Sequence, residues 1–253
     1  MVGFLINSIK IVFLLGFLIL IHESGHFIIA KLCKIRVNQF SIGFGPILWQ
    51  RQGKETIYQL RLIPLGGFVS MEGEEEPSEN EGSFSNASIP KRMAIIVAGA
   101  SVNIIFGILL YFFLVLNMVG FNDAISNTLS FLSSIFENLK NLFTHGINPN
   151  ELMGVVGISN VVANTSSFQN YLYILSLISL SLGITNLLPF PPLDGWKFVV
   201  LLLEAIRKKP LKEKTEATIQ TVGFYILIGL SIYVMFNDFT RIFWKIPYVR
   251  WKL

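Results

Sequence analysis

Charge is scarce in this 253-residue chain: Asp, Glu, Lys and Arg together make up 14% of it, against about 25% in an average soluble domain. With 52% hydrophobic residues and a mean hydropathy of +0.59, that shortage argues against an ordinary soluble fold and makes the bilayer the first solvent to consider. Cysteine is limited to Cys33, which excludes an internal disulfide and a cysteine-rich zinc site and leaves a small packing residue at a helix end. Histidine occurs only three times. No basic stripe interleaves with a soluble pattern, so the net charge of +4 is not a nucleic-acid footprint, and no nucleic-acid partner is expected.

What is abundant is apolar sequence in long runs. A helix needs roughly 20 mostly apolar residues to cross a hydrocarbon core of about 30 Å, and four windows reach that length: Val2 to Ala30, Ile95 to Val119, Tyr171 to about Leu203, and Thr218 to about Phe236. The first is not read as a secretory signal, because Lys10 lies inside the run, no small-x-small cleavage pattern follows, and the run is too long. The expected fold is an α-helical polytopic membrane protein with about four transmembrane helices and a small membrane-associated β-sheet between the first and second. The third span is expected to be broken by proline. Segments 1–30, 93–119, 170–206 and 218–244 are the spans of a single membrane-embedded core. Lys and Arg concentrate in 31–92 and 207–214, whereas 121–169 holds only Lys140, so the first and third connections are expected in the cytoplasm and both termini outside. The basic tail (Arg241, Lys245, Arg250, Lys252) pulls the other way.

Residues 36–71 differ from the rest. Short β-prone runs separated by Gly and Pro, a turn at Gln52-Gly53-Lys54, and alternation at Tyr58, Leu60 and Leu62 predict about four short strands. Such a sheet can enter the membrane where its backbone is paired or lines a wet cavity, and its edge can accept an extended peptide. Segment 72–90 reads as a flexible acidic loop. The external connection, 121–168, shows apolar residues at helical spacing from Leu129 to Phe143, an amphipathic helix for the bilayer or the other spans, with His145 as an exposed loop histidine. In the second span, Asn103 is costly at membrane depth unless it faces protein or water.

The first span carries His22-Glu23-Ser24-Gly25-His26. At 100° per residue the two imidazoles share one helix face and reach a single tetrahedral zinc, while Glu23 is placed to take a proton from a water. Ionisable residues in an apolar run cost roughly 2.5–3.5 kcal/mol each on insertion scales. The plainer alternative is a satisfied polar cluster or residues snorkelling to the headgroups. A catalytic zinc takes a third protein ligand, and Asp194 is the strongest candidate: it follows a proline-rich break, Asn186-Leu187-Leu188-Pro189-Phe190-Pro191-Pro192-Leu193, that belongs beside a wet cavity. Helix N-cap is the structural alternative for Asp194; Asp123 and Asp238 are weaker ligand candidates, near the outer boundaries.

These motifs resemble the site-2 protease family of zinc intramembrane metalloproteases, in the RseP-like and Eep-like bacterial branch but without a PDZ domain. The resemblance rests on HESGH, FSIGFGPILW, RLIPLGGFVSMEGE, KRMAIIVAGASVN, GVVGISNVV and TNLLPFPPLDG, which together cover most of the chain. It implies one catalytic zinc on His22, His26 and Asp194, with Glu23 as base. It also implies substrate-positioning roles for Asn186, Pro189, Asn103 and the re-entrant loop around Gly43, Phe44 and Gly45. Implied partners are transmembrane-helix proteins such as anti-sigma factors or signal-peptide remnants, cut in the cell membrane by a site facing the cytoplasm. Trp196 and Ala100 depart from the usual glycine and proline. A non-catalytic zinc-binding scaffold is the alternative function, and a zinc or proton transporter ranks last, because the fourth window offers few polar residues.

Overall fold

The computed structural model describes residues 2–74, 76–145, 153–165 and 167–244. Its elements in chain order are α1 (Val2–Leu32), β1 (Val37–Gln52), β2 (Ile57–Met71), α2 (Ile89–Val119), α3 (Phe121–His145), α4 (Val155–Ala163), α5 (Phe168–Asn186), α6 (Asp194–Arg207) and α7 (Glu213–Trp244). Four of these helices, α1, α2, α5 and α7, are long and apolar enough to cross a membrane. The protein is a multi-pass, mainly helical membrane protein with a small sheet between its first two long helices.

The chain divides into two compact units. One comprises residues 1–11, 108–177 and 222–253. Here α3 buries Ala124, Thr128 and Phe131, one stripe at helical spacing, and Phe131 stacks on Tyr111 at 4.0 Å between centroids with Tyr173 beside them. Asp238 of α7, wholly buried, accepts the backbone N–H groups of Gly154 (3.0 Å) and Gly157 (2.8 Å) at the start of α4, which satisfies donors a helix start otherwise leaves open. His145 ends α3 rather than lying in a loop, and its side chain is outside the described residues, as are Arg250 and Lys252.

The other unit, residues 12–107 and 178–221, holds the sheet. Instead of four separate short strands there are two long ones, each bent. Gly43 and Gly45 bend β1 at φ +88° and +81°, and Gly66 bends β2 at φ +119°, conformations in which a side chain is strained. The bends yield four paired segments. Residues 37–42 pair antiparallel with 67–71, residues 47–52 pair antiparallel with 57–61, and residues 39–42 lie beside 57–60 with numbers rising together. Residues Ile35, Val37, Val69, Met71 and Phe84 pack with Ala30 of α1, Ile95 and Ile96 of α2 and Leu201 of α6 in one buried core.

The sheet runs along α1. Glu55 in its turn pairs with Lys31 at 2.8 Å, Phe40 and Tyr58 pack on Phe27, and a methyl on Gly67 would lie 3.0 Å from Glu23 Cγ and 3.1 Å from Ile19 Cγ2. From Lys31 to Ile19 is about 18 Å of helix at 1.5 Å per residue, so the sheet enters to the depth of the HExxH turn.

The acidic segment is anchored rather than free. Glu72 accepts hydrogen bonds from the Asn80 amide and Ser78 hydroxyl and sits 3.5 Å from Arg36, while Glu74 pairs with Lys197 of α6 at 2.9 Å. Lys197→Met should therefore expose residues 76–81 to glutamyl endopeptidase. With the pair partly solvated it is worth at most about 1 kcal/mol, so nicking rises up to about fivefold. The bonds to Glu72 hold its carboxyl below the usual carboxylate range; their contribution is present above that range and lost as pH falls through the lowered value, so nicking by an acid-tolerant protease should rise only in acid.

Candidate metal centre

The HExxH turn of α1 and the first residue of α6 meet. His22 Nε2 and His26 Nε2 are 3.2 Å apart, and Asp194 Oδ2 lies 3.1 Å from the first and 3.3 Å from the second. Ligands at 2.0–2.1 Å around a tetrahedral zinc are separated by about 3.3–3.4 Å, so this triangle has the dimensions of one face of that tetrahedron. Among the described residues no other three His, Cys, Asp or Glu side chains converge in this way. Asp194 opens α6 as its first residue; Leu193 occupies the N-cap position, and no side chain caps there. Its carboxylate is thus free of the capping role that the sequence allowed.

Hydrogen bonding fixes what each imidazole presents. His26 Nδ1 is 2.8 Å from the Ile95 carbonyl oxygen, which only accepts, so Nδ1 carries a proton and, in the neutral imidazole, Nε2 turns a lone pair towards Asp194. Asp194 Oδ2 is buried, and among the described residues its polar neighbours are the two imidazole nitrogens. A lone pair facing a carboxylate oxygen at 3.3 Å is repulsive without a cation between them, and the donor set of two imidazoles and a carboxylate suits zinc.

Asn103 of α2 is fully buried, with its amide nitrogen 3.4 Å from His22 Nδ1 and its Oδ1 without a partner among the described residues. Turning the amide over brings Oδ1 against His22 Nδ1–H, pairs the orphan oxygen and, in the neutral ring, leaves His22 Nε2 with a lone pair as well. The residue therefore faces a histidine of the cluster. Outer-shell partners of this kind are worth about 10–100-fold in metal affinity, so Asn103→Leu should weaken zinc binding by that factor in competition with a chromophoric chelator.

Three glycines let the parts approach. Gly25 abuts the Ala98 carbonyl, Gly99 lies directly against the His26 ring, and Gly67 lies against Glu23. None carries chemistry that a motif search finds; GASV and LGGF in the sequence mark them only as small. Lys197, three residues after Asp194, brings a positive charge within electrostatic range of Glu23.

The remaining sequence candidates are not among the three convergent ligands. Asn186 closes α5 and Pro189 is exposed in the 187–193 connection, and among the described hydrogen bonds neither reaches the His–Asp cluster. Gly43, Phe44 and Gly45 form the β1 bend; Phe44 is half exposed, packs on Gly66, and so sits one residue from the Gly67–Glu23 contact. Asp238 bonds to α4, and Asp123 lies in the first turn of α3.

Comparison with known proteins gives a consistent pattern. A family model described as peptidase family M50 matches residues 10–230. A Clostridium acetobutylicum protein named a candidate zinc metalloprotease is 26% identical over 328 aligned positions, covering 92% of this chain and 97% of the relative. A Helicobacter pylori protein of the same name is 25% identical, covering 91% and 98%. The Escherichia coli regulator of sigma-E protease, RseP, is 45% identical over 116 residues, 44% of this chain and 26% of RseP. The 328 positions exceed the 253 residues here, so relatives carry stretches that this chain lacks.

Proposed function

Because the chain belongs to peptidase family M50, we propose that it is a zinc-dependent intramembrane endopeptidase. It hydrolyses peptide bonds in or near transmembrane segments of single-pass proteins or signal-peptide remnants. The observation that carries this reading is the convergence of His22 Nε2, His26 Nε2 and Asp194 Oδ2, from helices far apart in sequence, into a triangle of zinc-ligand size. The similarity to RseP, a sigma-factor-regulating protease by name, supports membrane-bound regulators such as anti-sigma factors as substrates.

His22, His26 and Asp194 would hold one zinc. That ion supplies Lewis acidity, polarising a carbonyl and acidifying a water. Glu23, one residue from His22 and not part of the triangle, takes the water's proton and returns it to the leaving amine. Lys197 keeps positive charge near a carboxylate that must cycle between charged and neutral forms. A helical peptide bond is shielded by its own hydrogen bonds, so a substrate helix has to unwind first. The bend at Gly43, Phe44 and Gly45, with Asn186 and Pro189, would receive the extended segment, whose free backbone groups need partners at that depth. The basic residues of 31–92 and 207–214 support a site opening towards the cytoplasm, with both termini outside.

The test is purified protein in proteoliposomes with a single-pass reporter. Cleavage that a chelator stops and one equivalent of zinc restores is expected. Absence of cleavage from several reporters, with zinc bound, would favour a zinc-binding scaffold instead.

A further inference from the structure

The two faces of the sheet are chemically opposite. On one, Gln39 donates to Gln59 (2.6 Å), Gln59 to Gln50 (3.0 Å), and Arg61 to both Gln59 (2.9 Å) and Ser41 (3.0 Å), a continuous polar ladder. On the other, the pairings Phe40 with Tyr58, Ile42 with Leu60, Trp49 with Leu60 and Arg51 with Tyr58 place aromatic and aliphatic groups together. On that side lies a groove of about 790 Å³, lined by Phe40, Ile42, Trp49, Tyr58 and Leu60, with Gln59 also contributing, and ended by the 51–54 turn with its Arg51 and Lys54. The volume is that of a site for a sizeable ligand.

Depth gives the groove a direction. Its cationic end is at the turn that Glu55 ties to Lys31, the polar end of α1, while its apolar end extends towards the level of Glu23. Lys31 is neutralised by Glu55; no carboxylate among the described residues pairs with Arg51 or Lys54, both exposed. Two free cations at headgroup level above an aromatic slot at chain level match an anionic amphiphile with its phosphate outward. An extended peptide fits poorly: the groove lies on a sheet face whose backbone groups are already paired, so a peptide's own N–H and C=O groups would be left open at a depth where that is costly. An acyl chain has none to satisfy.

We propose that this face of the sheet is a binding groove for one anionic phospholipid, its phosphate held by Arg51 and Lys54 and an acyl chain lying along Trp49, Leu60 and Phe40.

Native mass spectrometry of the full chain, released from vesicles of equal phosphatidylcholine and phosphatidylglycerol, tests this. Each cation near a membrane surface adds about 1 kcal/mol for anionic lipid, so one retained phosphatidylglycerol should be preferred roughly thirtyfold. Arg51→Gln with Lys54→Gln should bring that preference close to parity. Lys209→Gln with Lys212→Gln, an equal loss of charge on the exposed 207–214 connection, should leave it unchanged, and Trp49→Ala should reduce retention of both lipids. An unchanged preference in the Arg51/Lys54 variant, or an equal loss in the Lys209/Lys212 variant, overturns the proposal. So does an Arg51/Lys54 variant that keeps its lipid but cleaves the reporter slowly, which would make the groove a peptide site. Lipid retention is read without turnover, so its outcome is separate from that of the protease assay.

Discussion

With Glu23 changed to Gln, the protein is expected to keep one zinc and lose reporter cleavage by roughly 10²–10⁴-fold, the scale of a removed general acid–base group. Glutamine has the same shape, so the tight contact between Gly67 and the Glu23 side chain is preserved and the sheet keeps its place beside α1. The three convergent atoms belong to His22, His26 and Asp194, so metal content, measured by mass spectrometry of the purified protein, should not change. The two readouts separate the roles. Cleavage at the original rate removes Glu23 from proton transfer, and loss of zinc along with cleavage would make Glu23 a ligand. Asp194→Asn supplies the complementary outcome, because a carboxamide is a poor zinc ligand: zinc and activity should fall together.

The parts of this site that the sequence displays are those encoded locally. His22 and His26 share a face because they are four residues apart on one helix, and no tertiary information is needed to pair them. Asp194 is conspicuous because an acid after three prolines in an apolar stretch is costly unless it serves a polar site; that it meets both imidazoles is a tertiary fact. Four strands are legible as β-prone runs, but their fusion into two bent strands depends on Gly43, Gly45 and Gly66 at positive φ, which spacing alone does not reveal. Asn103 is recognisable as a polar residue in need of a partner, yet which partner depends on how α2 packs against α1. The anchoring of the acidic segment is hidden for the same reason: Glu74 finds Lys197 across more than a hundred residues, and composition registers only the excess of charge. Asp238, a weak ligand candidate by its position in the chain, takes its role from a backbone contact with α4 that no side-chain pattern signals.

Gly99 shows how far a residue without chemistry can control the metal. A β-carbon there would overlap the His26 ring, and that neighbour has little room to yield, because its Nδ1–H is bonded to the Ile95 carbonyl and its Nε2 faces Asp194. Gly99→Val must push either the ring or α2 aside. A ring displacement of about 1 Å takes Nε2 outside the ±0.2 Å tolerance of a metal–ligand bond. The expected result is a protein that inserts and folds, retains little zinc after dialysis, and cleaves the reporter at least about a hundredfold more slowly, as misplacements of that size do in other enzymes. Gly229→Ala is the control: among the described residues nothing lies within 4 Å of the added carbon, so zinc content and rate should both stay at the starting level. If Gly99→Val binds zinc normally, His26 does not occupy the ligand position that its ring contacts define, and the triangle must be drawn from other atoms.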